Sequence, residues 1–393
     1  MRIALVGTRG VPAKYGGFET AVEEVGRRLA ARGHVVTVYC RRAPGKQTPA
    51  ERASNAPDHY LGMKLVHLPA LRNKSLETLS NTALASTHLA ITSRQQVAVV
   101  FNAANAPFLP IFRVRGIPTA THVDGLEWRR AKWGGAGRRY YRTAEALAVR
   151  WSDALIADAQ GIADYYRSEF GVGSDLIRYG APILVDQPTD KLAELGLAPG
   201  GYHLVVARFE PENHVDLAVA GYVASGAKRP LIVVGTAPYA GQYIDRIKTL
   251  AAADDRVRLL GPVWDQEQLD QLYGHALSYV HGHSVGGTNP SLLRAIGAGT
   301  AVIAYDVNFN REVLGADGRY FSDAQGVATA IDDAEAAPEG AAERGVRLQQ
   351  VAETNYRWDD VADKYEALCR RLVHGGKAAS QKGTASGRRT RAV

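Results

Sequence analysis

Cysteine is nearly absent: Cys40 and Cys369 are the only two in 393 residues. They lie far apart and outside any CxxC or Cys/His spacing, which excludes a disulfide framework and a zinc ribbon and fits a reduced chain. Long apolar runs are missing too. The longest, Val97 to Phe112, is broken by Asn102, Asn105, Pro107 and Pro110 and falls short of the ~20 residues a spanning helix needs. Met1-Arg2 precedes only Ile3–Val6 before Gly7, too short for a secretory signal, so a cytoplasmic location is expected. The acidic doublets Asp254-Asp255, Asp332-Asp333 and Asp359-Asp360 lack the spacing of a DxD metal site, so no metal is expected. Neither G-x-G-x-x-G nor a Walker A loop occurs, which leaves a dinucleotide or P-loop reading without its motif. No Ser-His-Asp or Cys-His nucleophile pattern is visible.

What is present is a strong separation of charge. Residues 1–182 hold 25 Lys/Arg against 14 Asp/Glu, residues 183–369 hold 15 against 26, and residues 370–393 hold seven basic residues and no acidic one. A basic half beside an acidic half points to an anionic partner for the first, whether phosphate, a diphospholipid or a membrane surface; a solvated surface is the plain alternative.

Short apolar runs alternate with amphipathic helical runs, the pattern of βαβ units and parallel sheets. Strands are expected at Ile3–Val6, Val35–Tyr39, Lys64–Leu68, Val97–Phe101, Thr119–Val123 and Ala154–Ala157. After Tyr179-Gly180-Ala181-Pro182 the pattern restarts, with strands at Tyr202–Ala207, Leu231–Val234, Val257–Leu260, Leu277–Val280 and Ala301–Tyr305. The expected fold is therefore α/β, with two Rossmann-like domains, residues 1–182 and 183–355, facing across a cleft. Residues 356–374 read as a helix with Val361, Tyr365, Leu368 and Leu372 on one face, and 375–393 as a disordered basic tail.

Two loops stand where α/β sheets bind ligands, between a strand and the helix that follows it. In the first, Gly16 and Gly17 allow backbone N–H groups to approach an anion at a helix N-terminus. In the second, Ser284-Val285-Gly286-Gly287-Thr288-Asn289-Pro290-Ser291, small and hydroxyl residues crowd another helix start, with Pro290 as its first residue. Two such cradles suit a diphosphate and its attached sugar; turn glycines and a capped helix are the bland alternative. Arg208, just past a strand, suits bidentate phosphate pairing, unless Glu210 or Glu212 claims it. His122 and Asp124 follow the strand at Thr119–Val123 and are candidates to contact a sugar hydroxyl or the acceptor. Arg129, Arg130, Lys132 and Trp133 mix cations with aromatics, which suits an acceptor head group or a membrane interface, or is simply a solvated helix face. No nucleic-acid motif accompanies them.

The Gly7–Glu19 loop, Val123-Asp124-Gly125-Leu126-Glu127-Trp128, Arg208-Phe209-Glu210-Pro211-Glu212-Asn213 and His283–Ser291 resemble the GT-B glycosyltransferases of family 4. Within them they resemble the bacterial rhamnosyltransferase-like enzymes of cell-surface polysaccharide synthesis, over about residues 1–372. The resemblance implies a retaining, metal-independent transfer of a hexose, foremost L-rhamnose from dTDP-rhamnose or else a UDP-hexose, onto a glycan or lipid-diphosphate acceptor. It places Gly16 and Gly17 on the donor phosphates, His122 near the sugar, Arg208 on the departing diphosphate, and Gly287, Thr288 and Asn289 on sugar and phosphate. Gly261-Pro262-Val263-Trp264 would meet the base through its backbone, Val263 included, and the last helix would cross back to the first domain. Two departures stand out. Asn213 and His214 occupy the positions of the family's usual lysine, and Gly286 and Arg294 those of its two glutamates. An arginine cannot accept a hydrogen bond from ribose, though it can pair with phosphate. This keeps a non-catalytic nucleotide-sugar-binding scaffold open, and a sugar-nucleotide epimerase of the same fold is a further alternative.

Overall fold

The computed structural model describes residues 1–13, 16–42, 57–71, 76–92, 95–123, 126–130, 133–236 and 241–375. Asp124, Lys132 and the basic tail beyond Gly375 lie outside them.

Among the described residues the chain builds two sheets. The first contains β1 (Arg2–Val6), β2 (Val35–Arg41), β3 (His59–Tyr60), β4 (Met63–Leu68), β5 (Val97–Phe101), β6 (Thr119–Val123), β7 (Ala154–Ala157) and β8 (Asp175–Leu176). Its order is β3-β4-β2-β1-β5-β6-β7-β8, parallel except where β3 meets β4. The second contains β9 (His203–Val206), β10 (Leu231–Val234), β11 (Val257–Gly261), β12 (Ser278–His281), β13 (Ala301–Tyr305) and β14 (Arg319–Phe321), all parallel, in the order β11-β10-β9-β12-β13-β14. The central strands read as continuous apolar runs because helices cover both faces; Ile3 to Val6 and Val97 to Phe101 are buried throughout. In each sheet the order reverses beside a central strand, at β1/β5 and at β9/β12. The loops leaving the carboxyl ends there frame a crevice.

The sequence reading located these strands to within a residue or two. It missed β3, β8 and β14, edge strands of two or three residues, too short to show a period.

The helix Gly17–Ala31 packs Ala21, Val22, Val25, Gly26 and Leu29 onto the first sheet. Gly26 permits this approach, since a β-carbon there would lie 2.4 Å from Met63 Sδ. The last helix, Trp358–Val373, buries Val361, Tyr365, Leu368 and Leu372 and lies against Gly17–Ala31. Arg28 reaches Asp359 at 2.7 Å, and Arg32 and His34 each reach Glu366 at 2.9 Å. The chain thus passes between the two sheets' territories twice, near 181 and near 356. The passages touch: Ala181 N–H donates to Tyr356 O at 2.7 Å, and a β-carbon on Gly180 would lie 2.4 Å from the Trp358 indole.

Candidate active site

The loop after β1 bends back through Gly7 (φ +100°), Gly10 (φ +99°) and Gly16 (φ +115°), conformations costly for any residue with a β-carbon. Gly16 precedes the helix Gly17–Ala31, and no side chain caps that helix. Glu19 instead turns back to accept the Arg9 N–H at 3.1 Å. This helix start meets the second half of the chain directly: a β-carbon on Gly17 would lie 3.2 Å from Pro290 Cγ.

Pro290 opens the facing helix, Pro290–Gly297, as its first residue. The loop leading to it from β12 is drawn against the first domain. Thr288 Oγ1 donates to Asp158 O at 2.7 Å. A β-carbon on Gly287 would lie 2.0 Å from Asp158 Oδ1 and 2.7 Å from Ile162 Cδ1. Asn289 caps its own helix, its side chain accepting from Ser291 N–H at 2.8 Å. Gly286 takes φ +127°. Of the expected donor-loop residues, Gly287 and Thr288 are therefore engaged across the cleft, and Asn289 and Ser291 form the cap. Arg294, one turn on, is ion-paired with Asp270, which also accepts from Gln266 Nε2 at 2.9 Å.

Arg208 leaves the end of β9 half exposed, 3.3 Å from Glu210. Asn213 and His214 have local tasks. Asn213 Nδ2 donates to Arg208 O at 2.8 Å, and its Oδ1 lies 2.8 Å from His283 Nδ1. His214 holds Gly282 O at 2.7 Å and stacks on Tyr305 at 4.2 Å. Burial lowers the pKa of His281 to about 3. It lowers that of His283 as well, and the charges of Arg130 and Arg208 push His283 further down. Both imidazoles are neutral near pH 7, so the fixed cations beside the loop are the arginines.

Two of the expected site residues are enclosed in this structure. Arg130 does not face the surroundings: its side chain is only 13 % exposed, 2.5 Å from Glu127 and 3.5 Å from both Glu210 and Glu212. The 3₁₀ turn Glu127–Arg129, entered through Leu126 at φ +49°, aims it into the cleft. His122 does not open onto the cleft either. It is fully buried, stacked between Phe101 and Tyr179 with Phe18 at its edge, and neither ring nitrogen has a hydrogen-bond partner. Burial lowers its pKa to about 3. In this state it offers no surface to a sugar.

Arg129 is exposed, 5.2 Å over the Trp128 ring. Trp133 is half-buried and donates from Nε1 to Glu127 at 3.3 Å. Val263 is half-buried beyond β11. Sequence reasoning missed Glu127, Asp158 and Asp270. For Glu127 a signal existed, its i,i+3 spacing to Arg130. The other two become neighbours of the site only through the meeting of separate segments. Among the described residues no group of three or more His, Cys, Asp or Glu could hold a metal ion, and no helix is long and apolar enough to cross a membrane.

Residues 1–182 match a family described as a domain of unknown function (DUF1972), and residues 202–335 match the family of glycosyl transferases group 1. Sucrose-phosphate synthase from Thermosynechococcus elongatus superposes with a TM-score of 0.80 at 20% identity, over 95% of this chain and 99% of that one. Anabaena HepE in complex with UDP gives 0.73 at 16%, over 95% and 100%. Trehalose-6-phosphate from E. coli bound with UDP-2-fluoro glucose gives 0.70 at 12%, over 95% and 99%. No curated protein matches.

Proposed function

For a chain that is a glycosyltransferase of GT-B fold, we propose retaining, metal-independent transfer of a hexose from a dTDP- or UDP-linked donor to a glycan or lipid-diphosphate acceptor. L-Rhamnose from dTDP-rhamnose is the leading donor. The observation that carries this reading is the meeting of two helix N-termini, at Gly17 and Pro290, with Arg208 just past β9 at the second sheet's switch point. Helix dipoles and backbone N–H groups aimed at one point favour a diphosphate. The UDP complex of HepE supports a nucleotide-sugar donor.

Negative charge grows on the departing nucleoside diphosphate, and amides and a guanidinium fixed there stabilise it without reorganisation. A donor phosphate oxygen takes the acceptor proton on the same face, so no protein nucleophile is required. Contacts across the cleft, such as Thr288 to Asp158, exclude water from the reacting centre. The acceptor side carries the helix Gly135–Trp151, with Arg138, Arg139, Arg142 and Arg150 exposed and its one carboxylate, Glu145, buried. That face suits peripheral contact with an anionic lipid surface.

The test is a thermal-shift panel of dTDP, UDP, GDP, ADP, dTDP-rhamnose, UDP-glucose and NAD, followed by a transfer assay with the nucleotide that stabilises. A shift with dTDP or UDP species and none with NAD is expected. No shift with any nucleotide would sink the donor site, and an α-linked product from β-configured dTDP-rhamnose would sink retention. The Arg294–Asp270 pair favours one second reading, a nucleotide-sugar-binding scaffold without turnover. Activity appearing in Arg294→Glu, and not in the natural protein, would select it.

A further inference from the structure

Arg130, in the first domain, forms ion pairs with Glu210 and Glu212 at the turn that follows Arg208. That turn, Pro211–Asn213, is short and acidic: Glu210 precedes it and Glu212 is buried within it. Glu210 lies 3.3 Å from Arg208 and 3.5 Å from Arg130, so the two guanidinium groups share it. Glu127 and Glu212 also pair with Arg130. Among the described residues, three carboxylates thus surround two cations. The cluster adjoins the donor loop: Arg130 Nη2 is 3.9 Å from where a β-carbon on Gly286 would stand, and the Glu212 carbonyl accepts Ser284 N–H at 2.9 Å.

A diphosphate brought to Arg208 meets two carboxylates within two to four residues of it. Without a cation from the other domain, Glu210 and Glu212 would repel the ligand and hold Arg208 for themselves. We infer that Arg130 is a positioning residue for the donor. It crosses the cleft to neutralise Glu210 and Glu212 and thereby releases Arg208 to the diphosphate. The inference rests on the donor reading above and adds to it a role for the first domain. Arg208 is available to the diphosphate only when the domains are together, so closure and phosphate binding are coupled through one side chain.

The experiment measures UDP and dTDP affinity by calorimetry, with KM and kcat for the donor, in the full chain and in Arg130→Gln, Arg130→Lys, Glu210→Gln and the double variant Arg130→Gln/Glu210→Gln. Removing one partner of a poorly solvated charge cluster is expected to weaken nucleotide binding at least about tenfold. The loss should appear mainly in KM, and Arg130→Lys should keep part of the affinity. The decisive measurement is the double variant: with Glu210 neutral, Arg208 is free again and most of the affinity returns. Urea melts of the same variants identify a merely structural Arg130, whose loss would lower stability and leave KM and nucleotide affinity unchanged. Unchanged affinity in Arg130→Gln would overturn the inference, as would a loss that Glu210→Gln fails to restore. Absence of nucleotide binding in the natural protein would instead overturn the donor reading on which it stands.

Discussion

Glu145 lies on the buried face of the basic helix Gly135–Trp151, 2 % exposed, and accepts a hydrogen bond from Tyr165 Oη at 2.9 Å. Burial raises its pKa from 4.5 to about 7, while the Tyr165 hydrogen bond and the charge of Arg142 oppose the rise. The native state therefore holds a proton that the unfolded chain gives up. The stability this carboxyl contributes is intact below about pH 4.5 and is lost as pH rises through about 7. The gap between the two values corresponds to about 3 kcal/mol. Glu145→Gln keeps the size and an acceptor for Tyr165 but removes the titration. At pH 8 the variant should be more stable by about 3 kcal/mol, and at pH 5 by less than about 1 kcal/mol. In a chain of this size that is several degrees of Tm, at roughly 2–4 °C per kcal/mol. Urea and thermal unfolding at both pH values measure it. An equal change at pH 5 and pH 8 would refute the reasoning, because it would mean that shape and not charge sets the cost.

Three further outcomes are expected. Arg208→Ala should lower kcat by a factor on the order of 10²–10³, and Arg208→Lys should recover little, since a lysine cannot make the bidentate pair. Gly287→Ala introduces a methyl 2.0 Å from Asp158 Oδ1. The fold should survive while the cleft cannot close, read as lost transfer activity with a larger radius of gyration by small-angle scattering. Glu366 is held down to about 2, first by Arg370 and then by His34 and Arg32. Its contribution is present above about pH 4.5 and lost as pH falls through about 2, so acid titration of Glu366→Gln should show a flatter loss of stability over that window.

Much of this architecture was legible in the sequence because buried parallel strands must be apolar on both faces. Ile3–Val6, Val97–Phe101 and Leu231–Val234 declare themselves without help from neighbours. The two loops were legible for a related reason: glycines clustered between a strand and a helix serve backbone geometry. The chemistry of single side chains was harder to read. Arg130 looked like part of a basic surface because its local sequence is cationic. Its environment is set by Glu210 and Glu212, eighty residues away and in the other domain. His122 follows the same logic in reverse: its position after β6 marked it for a ligand, whereas Phe101, Tyr179 and Phe18 enclose it. Arg294 was noticed as an oddity, but its partner Asp270 belongs to a different helix, Gln266–Gly274. Periodicity reports which face of an element is dry and says nothing of which charge waits across a cleft.

The paired passages of the chain near 181 and 356 have a mechanical consequence. Two adjacent strands of backbone, tied by the Ala181–Tyr356 bond and wedged by Trp358 against Gly180, behave like a door hung on two pins. Two crossings tied side by side leave rotation about the line that joins them as the motion that disturbs the fewest of these contacts. Opening then follows a single arc, and every return brings Gly17 back to Pro290 and Arg130 back to Glu210 in the same alignment. The far lip of the cleft needs no guidance of its own, because the fastening at the near edge already fixes where it lands.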